Sequence, residues 1–327
     1  MMQHVIRVTT GSRLHFGMFS FGHGFERAAP RQFGGVGLMV AEPGIRLRVR
    51  PAPMLGATGP LANRALDFVR RTATAMKLPA LPQCHIHIES APREHIGLGT
   101  GTQLGMAVAT AIHILAGEPL GLPGELAATV GRGQRSAIGA HGFAVGGLLV
   151  EAGKRQAEDV SPLVARMELP AEWRVLLLLP RHTTGLHGDA ERQAFARLPA
   201  VPPEATAALC TEALLHLLPA AADADFESFS ASLDRFGQTA GSCFASQQEG
   251  MFFDRHTASL AKRLRELDIE GVGQSSWGPS LFAIVPNETA GQDIAARLGE
   301  EADAADYDCI LTRCENQGAR VEVESTP

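Results

Sequence analysis

Glu89-Ser-Ala-Pro-Arg-Glu-His-Ile-Gly-Leu-Gly-Thr-Gly-Thr-Gln103 joins an alternating segment, Cys84–Glu89, to a nearly all-apolar one, Gln103–Ala116. Period-two alternation predicts a strand, and the apolar run a buried helix. Gly97, Gly99 and Gly101 let the backbone between them fold tightly, so that successive amide N–H groups converge. Thr100 and Thr102 add hydroxyls and can cap the helix. A helix N-terminus has unpaired amides and roughly half a positive charge, so phosphate is its natural guest. Gly97, Gly99, Thr100, Gly101, Thr102 and Gln103 are therefore candidate phosphate-binding residues. The competing reading is a glycine-rich turn that only packs strand against helix. The stretch is not a Walker loop, because no Gly-Lys-Ser/Thr follows, nor a dinucleotide fingerprint in its usual setting.

Outward from this loop the chain reads as mixed α and β in two halves. Strands are expected at Val5–Thr9, Ile45–Val49, Cys84–Glu89 and Gly147–Glu151, with helices at Asn63–Met76, Gln103–Ala116 and Glu125–Ile138. The second half opens with Trp173–Leu179, an apolar run typical of a strand covered on both faces. Helices at Glu204–Leu218, Asp225–Gln247, Thr257–Leu267 and Thr289–Leu298 and strands at Leu281–Val285 and Tyr307–Thr312 complete it. At about 150 residues per domain, 327 residues make about two domains, with a boundary expected at 168/169.

Composition removes several classes. Charged residues make up 20% and apolar residues 45%, which is globular. The 29 basic and 35 acidic residues leave a net charge of −6 and a pI near 6.1, so general nucleic-acid binding is not expected. No uninterrupted apolar stretch approaches the ~20 residues of a membrane helix, and Met1–Thr10 reads as a strand carrying Arg7, not as a signal peptide. Five cysteines without a Cys-x-x-Cys pair fit reduced thiols in the cytoplasm.

Pro92–Gln103 resembles the Pro-x-x-x-Gly-Leu-Gly-Ser-Ser-Ala phosphate loop of the GHMP kinases, with Thr100-Gly101-Thr102-Gln103 where they have Ser-Ser-Ala. Those kinases use a serine near this point for magnesium-ATP, and many take an aspartate base from a Gly-x-x-Ser-Gly-x-Asp segment. Gly131-Arg-Gly-Gln-Arg-Ser-Ala-Ile-Gly-Ala-His-Gly142 stands there and contains no acid. Six ordered segments resemble one branch of the superfamily, the β-ribofuranosylaminobenzene 5′-phosphate synthases. They are Ser12–Gly17, Gly34–Leu38, Gly97–Gln103, Gly131–Gly139, Thr184–Glu191 and Gly271–Pro279. The resemblance implies a two-domain α+β GHMP-kinase-like fold with the active site in the inter-domain cleft, and a homodimer. It also implies a reaction: phosphoribosyl pyrophosphate and 4-aminobenzoate or 4-hydroxybenzoate combine, and carbon dioxide and pyrophosphate leave, in tetrahydromethanopterin biosynthesis. Magnesium is expected with the pyrophosphate; ATP and pyridoxal phosphate are not. The alternatives are a small-molecule kinase of the same superfamily and a non-catalytic protein that binds a phosphorylated metabolite.

Such chemistry needs anion ligands, a carboxylate or proton ligand, and an aromatic surface. Arg132 and Arg135, three apart on the expected helix and joined by Ser136, would grip phosphate. Arg13 and His15 share one strand face, opposite Leu14 and Phe16, and are candidate catalytic residues. His182, His187 and Asp189 follow the apolar strand, and Asp189 with Glu191 could hold magnesium. Gln274, Ser275 and Trp277 lie among glycines, where the indole could meet an aromatic substrate. His85, His87 and Glu89 read as a solvated strand face, and His113 as a core histidine. The paired acids with which ordinary phosphoribosyltransferases hold ribose are missing: neither Glu158-Asp159 nor Glu300-Glu301 follows an apolar strand.

Overall fold

The first strand changes faces along its length. In β1 (Gln3–Met18), Ile6 and Val8 point into one apolar cluster, whereas Leu14 and Phe16 point into another. The exchange follows a register shift against β2 (Gly35–Pro51) between Thr10 and Ser12. A Cβ on Gly11 would lie 2.1 Å from the Val40 carbonyl oxygen, so only glycine fits where the two strands close up. Beyond the shift, Arg13 faces the glycine loop, and His15 lies with its ring beside Gly35.

The computed structural model describes residues 3–25, 31–157, 160–300 and 306–326; Glu158, Asp159 and Glu301 lie outside them. After β2 come β3 (Gly56–Thr58), α1 (Ala62–Ala75), β4 (Cys84–Ser90), α2 (Thr100–Ala116), α3 (Pro123–Thr129), α4 (Ile138–Val145), β5 (Leu148–Glu151) and β6 (Leu163–Met167). The second half adds β7 (Arg174–Pro180), α5 (Gly188–Ala196), α6 (Pro203–Thr211), a π-helical turn at Glu212–Leu217, α7 (Leu218–Ala222), α8 (Phe226–Ser242) and α9 (Arg255–Glu266). It ends with β8 (Val272–Gln274), β9 (Leu281–Val285), α10 (Glu288–Gly299), β10 (Tyr307–Arg313) and β11 (Arg320–Thr326).

Two sheets organise these elements. One has the order β11-β1-β2-β4-β3, with β5 and β6 continuing from the other end of β2; the second has the order β10-β7-β9-β8. The chain passes between sheets at 168–173, beside the expected boundary, yet β11 returns to pair with β1. The 169–327 half is therefore not a separate unit in the sheet topology. The expected two-sided strand is β7: Val175, Leu177 and Leu179 enter the core shared with β1, and Leu176 and Leu178 enter a second one under α9 and α10.

Two local expectations are corrected. The helix expected at Glu125–Ile138 is two helices: α3 stops at Thr129, and Gly131 and Gly133 turn the chain at φ 69° and 76° before α4 begins. His113 is a half-buried residue of the last turn of α2, its Nδ1 2.7 Å from the Pro119 carbonyl oxygen, not a core histidine. Pro203–Ala222 forms one helical run of 20 residues, long and apolar enough by composition to cross a membrane. Here its Leu209, Ala213, Leu217 and Ala220 are buried in the shared core.

That core joins the two sheets. Phe16 of β1 and Phe282 of β9 stack with ring centroids 5.1 Å apart, and both are buried. Replacing Phe282 with alanine is expected to cost about 3–5 kcal/mol of stability in urea unfolding. A loss below about 1 kcal/mol would show that this contact does not hold the sheets together.

Candidate active site

The glycine loop enters α2 as a tight turn anchored by its apolar residues. Ile96 and Leu98 are buried in the shared core, while Gly97 and Gly99 take φ 91° and 70°. The Thr100 hydroxyl donates to the Arg93 carbonyl at 3.0 Å, and the Thr102 and Gln103 amides bond back to the Gly99 carbonyl. Gly99, the N-cap, gives α2 no side-chain cap. The positive end of a mostly buried 17-residue helix is thus turned toward a cavity of about 530 Å³ that Thr102 helps to line.

Arginines surround that helix end. A Cβ on Gly99 would stand 3.3 Å from Arg13 Nε; one on Gly101 would stand 2.5 Å from an Arg132 terminal nitrogen and 3.5 Å from one of Arg64. A Cβ on Gly131 would stand 2.7 Å from a terminal nitrogen of Arg71. Arg64 and Arg71, on α1, were not singled out in the sequence. They stand seven apart on a predicted helix, and that spacing on one face was the available signal. Arg132 and Arg135 are not on a helix at all; they sit in the Gly131–Ala137 turn between α3 and α4. The Arg135 guanidinium lies 4.3 Å over the Phe195 ring and pairs with Glu191.

The electrostatics are those of an anion site. Burial pushes the Arg13 guanidinium down to about 10, and burial with Arg64 alongside lowers Arg132. Arg13 Nε, Arg132 Nε and His15 Nε2 are buried without a protein partner. Six arginines (13, 64, 71, 132, 135, 192) line the cavity against Asp67, Glu94 and Glu191; Glu94 is paired to Arg64 at 2.9 Å and Glu191 to Arg135. A phosphorylated ligand would relieve this excess of positive charge and satisfy the orphaned donors.

Burial, with Arg13 beside it, pushes His15 down to about 3, so the imidazole is neutral near neutral pH. Its backbone N–H donates to Ser275 Oγ at 3.1 Å, and that hydroxyl donates to the Gly97 carbonyl at 2.6 Å. Ser275 thereby joins three segments and does not line the cavity. Gln274 is also spent on backbone, accepting from the Phe253 amide and donating to the Ser276 carbonyl. Trp277 lines the cavity but packs edge-on against Phe244, at 5.0 Å, and Phe195.

The remaining candidates divide. His187 lines the cavity, its ring stacked on His95 with centroids 4.1 Å apart. His95 lies inside the quoted loop, and no motif marks it for a role. His182 is exposed past the end of β7 and does not line the cavity. Gln103 points into the core, where it accepts from Thr10 and donates to the Gly139 carbonyl, so it is not positioned to meet phosphate. Ser136 lines the cavity, its hydroxyl accepting from the Ile138 amide. Asp189 is 82% exposed and paired with Arg192, and Glu191 is held by Arg135, so the two do not form the expected magnesium pair. Among the described residues no three His, Cys, Asp or Glu gather as a metal site. His85 and His87 are half-buried on β4, His87 bonded to Thr58.

No family model matches the chain. Curated relatives do, over nearly its whole length. The chain is 29% identical to a β-ribofuranosylphenol 5′-phosphate synthase of Archaeoglobus fulgidus, covering 98% of this chain and 100% of that one. It is 27% identical to the enzyme of the same name from Methanothermobacter thermautotrophicus, over 87% and 91% of the two chains. Its fold is that of the GHMP kinases. A homoserine kinase from Cytophaga hutchinsonii superposes with a TM-score of 0.66 at 16% identity over 97% of both chains. A mevalonate diphosphate decarboxylase from Staphylococcus aureus superposes with a TM-score of 0.67 at 12% identity over 98% of both.

Two measurements check this geometry. Ser275→Ala leaves the His15 amide without its partner and the Gly97 carbonyl with only a 3.4 Å contact from Arg13, and is expected to cost about 1–3 kcal/mol in urea unfolding; an unchanged midpoint would remove Ser275 from its bridging role. The ring-proton resonance of His15 is expected to stay fixed from about pH 8 to about pH 5, and a midpoint near 6.5 would contradict its burial. Below 6.5 the unfolded imidazole takes up a proton that the folded one refuses down to about 3, so His15 lowers stability as pH falls through that window.

Proposed function

We propose that the chain is an enzyme that joins phosphoribosyl pyrophosphate to 4-hydroxybenzoate with loss of carbon dioxide and pyrophosphate. The observation that carries this reading is the α2 N-terminus faced by Arg13, Arg64 and Arg132 in a chain similar end to end to β-ribofuranosylphenol 5′-phosphate synthases. The relatives' name describes a phenol carrying a ribosyl 5′-phosphate, which favours the 4-hydroxy acid over 4-aminobenzoate. The pathway would be that of tetrahydromethanopterin or a close relative.

The chemistry asks little of the protein beyond charge and placement. The C1–oxygen bond of the ribosyl diphosphate breaks with its electron pair going to pyrophosphate. The arginines and the helix end take up that charge. The ring carbon bearing the carboxylate attacks C1, and the para oxygen delocalises the resulting cation. The bond to carbon dioxide then breaks, its electrons return to the ring and aromaticity is restored. No proton is removed from carbon or from an attacking hydroxyl, so no general base is required. Neutral His15, with Nε2 unpartnered beside Arg13, is assigned to the substrate carboxylate. Trp277, buried among Phe195 and Phe244 but lining the cavity, is assigned to the ring. Magnesium enters with the diphosphate and is not assigned to Asp189 and Glu191.

Purified protein with magnesium and phosphoribosyl pyrophosphate is expected to release pyrophosphate only when 4-hydroxybenzoate is added. Mass spectrometry of the product should show a decarboxylated C-riboside. Arg132→Ala is expected to lower kcat/KM by at least about tenfold. Release with 4-aminobenzoate alone would change the acceptor. Phosphorylation of a small alcohol by ATP would replace this reading with a kinase, and tight sugar-phosphate binding without turnover would replace it with a binding protein.

A further inference from the structure

The Gly131–Ala137 turn carries two of the cavity's arginines without the support of a helix or a sheet. We propose that Glu151 and Lys154 are positioning residues that hold this turn by its backbone and so aim Arg132 and Arg135 at the phosphates. The proposal rests on the reading of those arginines as phosphate ligands.

Both side chains come from beneath the turn, at the end of β5. Glu151 is fully buried, and its Oε2 accepts from the Ala137 amide at 2.7 Å. The Ser136 and Ser161 hydroxyls also face its carboxyl. Lys154 is 1% exposed, and its Nζ donates to the Gln134 carbonyl and, at 3.3 Å, to that of Ala157. The two contacts bracket Arg135, and Gln134 lies between the two arginines in sequence. Lys154 is itself fixed, because its amide and carbonyl pair with those of Gln32 at 2.7 and 2.9 Å. The Gly153 amide between them is bound by Ser161 Oγ at 2.7 Å.

Burying a carboxyl and an ammonium is unfavourable unless hydrogen bonds compensate. An apolar pair could close the turn against β5, but could not fix the rotation of its peptide units. A carboxyl on the Ala137 amide and an ammonium on the Gln134 carbonyl fix one peptide group on either side of Arg135. Burial pushes the Glu151 carboxyl up to about 7, so an uncharged acceptor suits the position nearly as well as a charged one.

The test is calorimetric titration of the full chain with inorganic pyrophosphate, with urea unfolding run alongside. Glu151→Leu and Lys154→Met are each expected to weaken binding about tenfold or more in protein that remains folded. Glu151→Gln, which keeps an acceptor for the Ala137 amide, is expected to stay within about threefold of the unaltered protein. In an Arg132→Ala/Arg135→Ala background the Lys154→Met change should add less than about twofold, because the groups it positions are gone. Full additivity in that background, unchanged binding in Lys154→Met, or a tenfold loss in Glu151→Gln would each overturn the proposal. Should Glu151→Leu fail to fold, Lys154→Met and Glu151→Gln still decide it. Pyrophosphate binding is read without an aromatic acid, so a failure of the ribosyl-transfer reading leaves this test standing. No pyrophosphate binding by the unaltered chain would remove the anion site itself.

Discussion

One buried hydroxyl holds the site together. Ser275 Oγ accepts from the His15 amide on β1 and donates to the Gly97 carbonyl in the glycine loop. The Ser276 amide adds a bond to the His15 carbonyl. Three segments far apart in sequence therefore meet at one side chain through direct hydrogen bonds. Gly97 is glycine for the same reason, since a Cβ there would lie 2.5 Å from the Ser275 carbonyl oxygen. The position of α2 relative to Arg13 follows from this junction, and with it the direction in which the helix end points.

Around the junction the protein concentrates charge that it does not neutralise. Burial, with Arg64 and Arg71 alongside, lowers the affinity of Arg132 for its proton, and Glu94 and Glu191 oppose this only in part. Glu191 is held by Arg135, which leaves the centre of the cavity to guanidinium groups. Such an arrangement is unfavourable in the empty site and favourable around a multiply charged anion. The stability given up there is retained elsewhere, in a core shared by both sheets through Phe16 and Phe282.

The parts legible in the sequence are those set by short-range pattern. Cys84–Glu89, the glycine cluster and the apolar helix after it fix the loop, and the unbroken run Trp173–Leu179 fixes the central strand of the second sheet. Glu125–Ile138 reads as one helix only by carrying the Gly131–Ser136 stretch inside it, and Gly131 and Gly133 at positive φ break the helix there. That is why Arg132 and Arg135 occupy a turn instead of a helical face. Gln103 belongs to the loop in sequence, yet its position one turn into α2 directs it at Thr10. Asp189 and Glu191 read as a ligand pair until Arg192 and Arg135 are seen beside them, and such long-range pairing leaves no local trace. Arg64 was visible only as one more charge on an amphipathic helix, because its place over Gly101 is set by how α1 packs on α2.

The same constraints bear on how a kinase fold would serve the ribosyl transfer proposed above. A phosphoryl-transfer site must hold a polyphosphate and deprotonate an attacking hydroxyl. A decarboxylating attack by an aromatic ring needs the first function alone, because the electron pair released with carbon dioxide does the work a base would otherwise do. The glycine loop and helix end are present, and the Gly131–Gly142 segment holds no acid; arginines occupy it instead. Once that segment carries arginines in a glycine-rich turn, its backbone needs support from below, and the buried carboxyl of Glu151 and ammonium of Lys154 lie where that support is required.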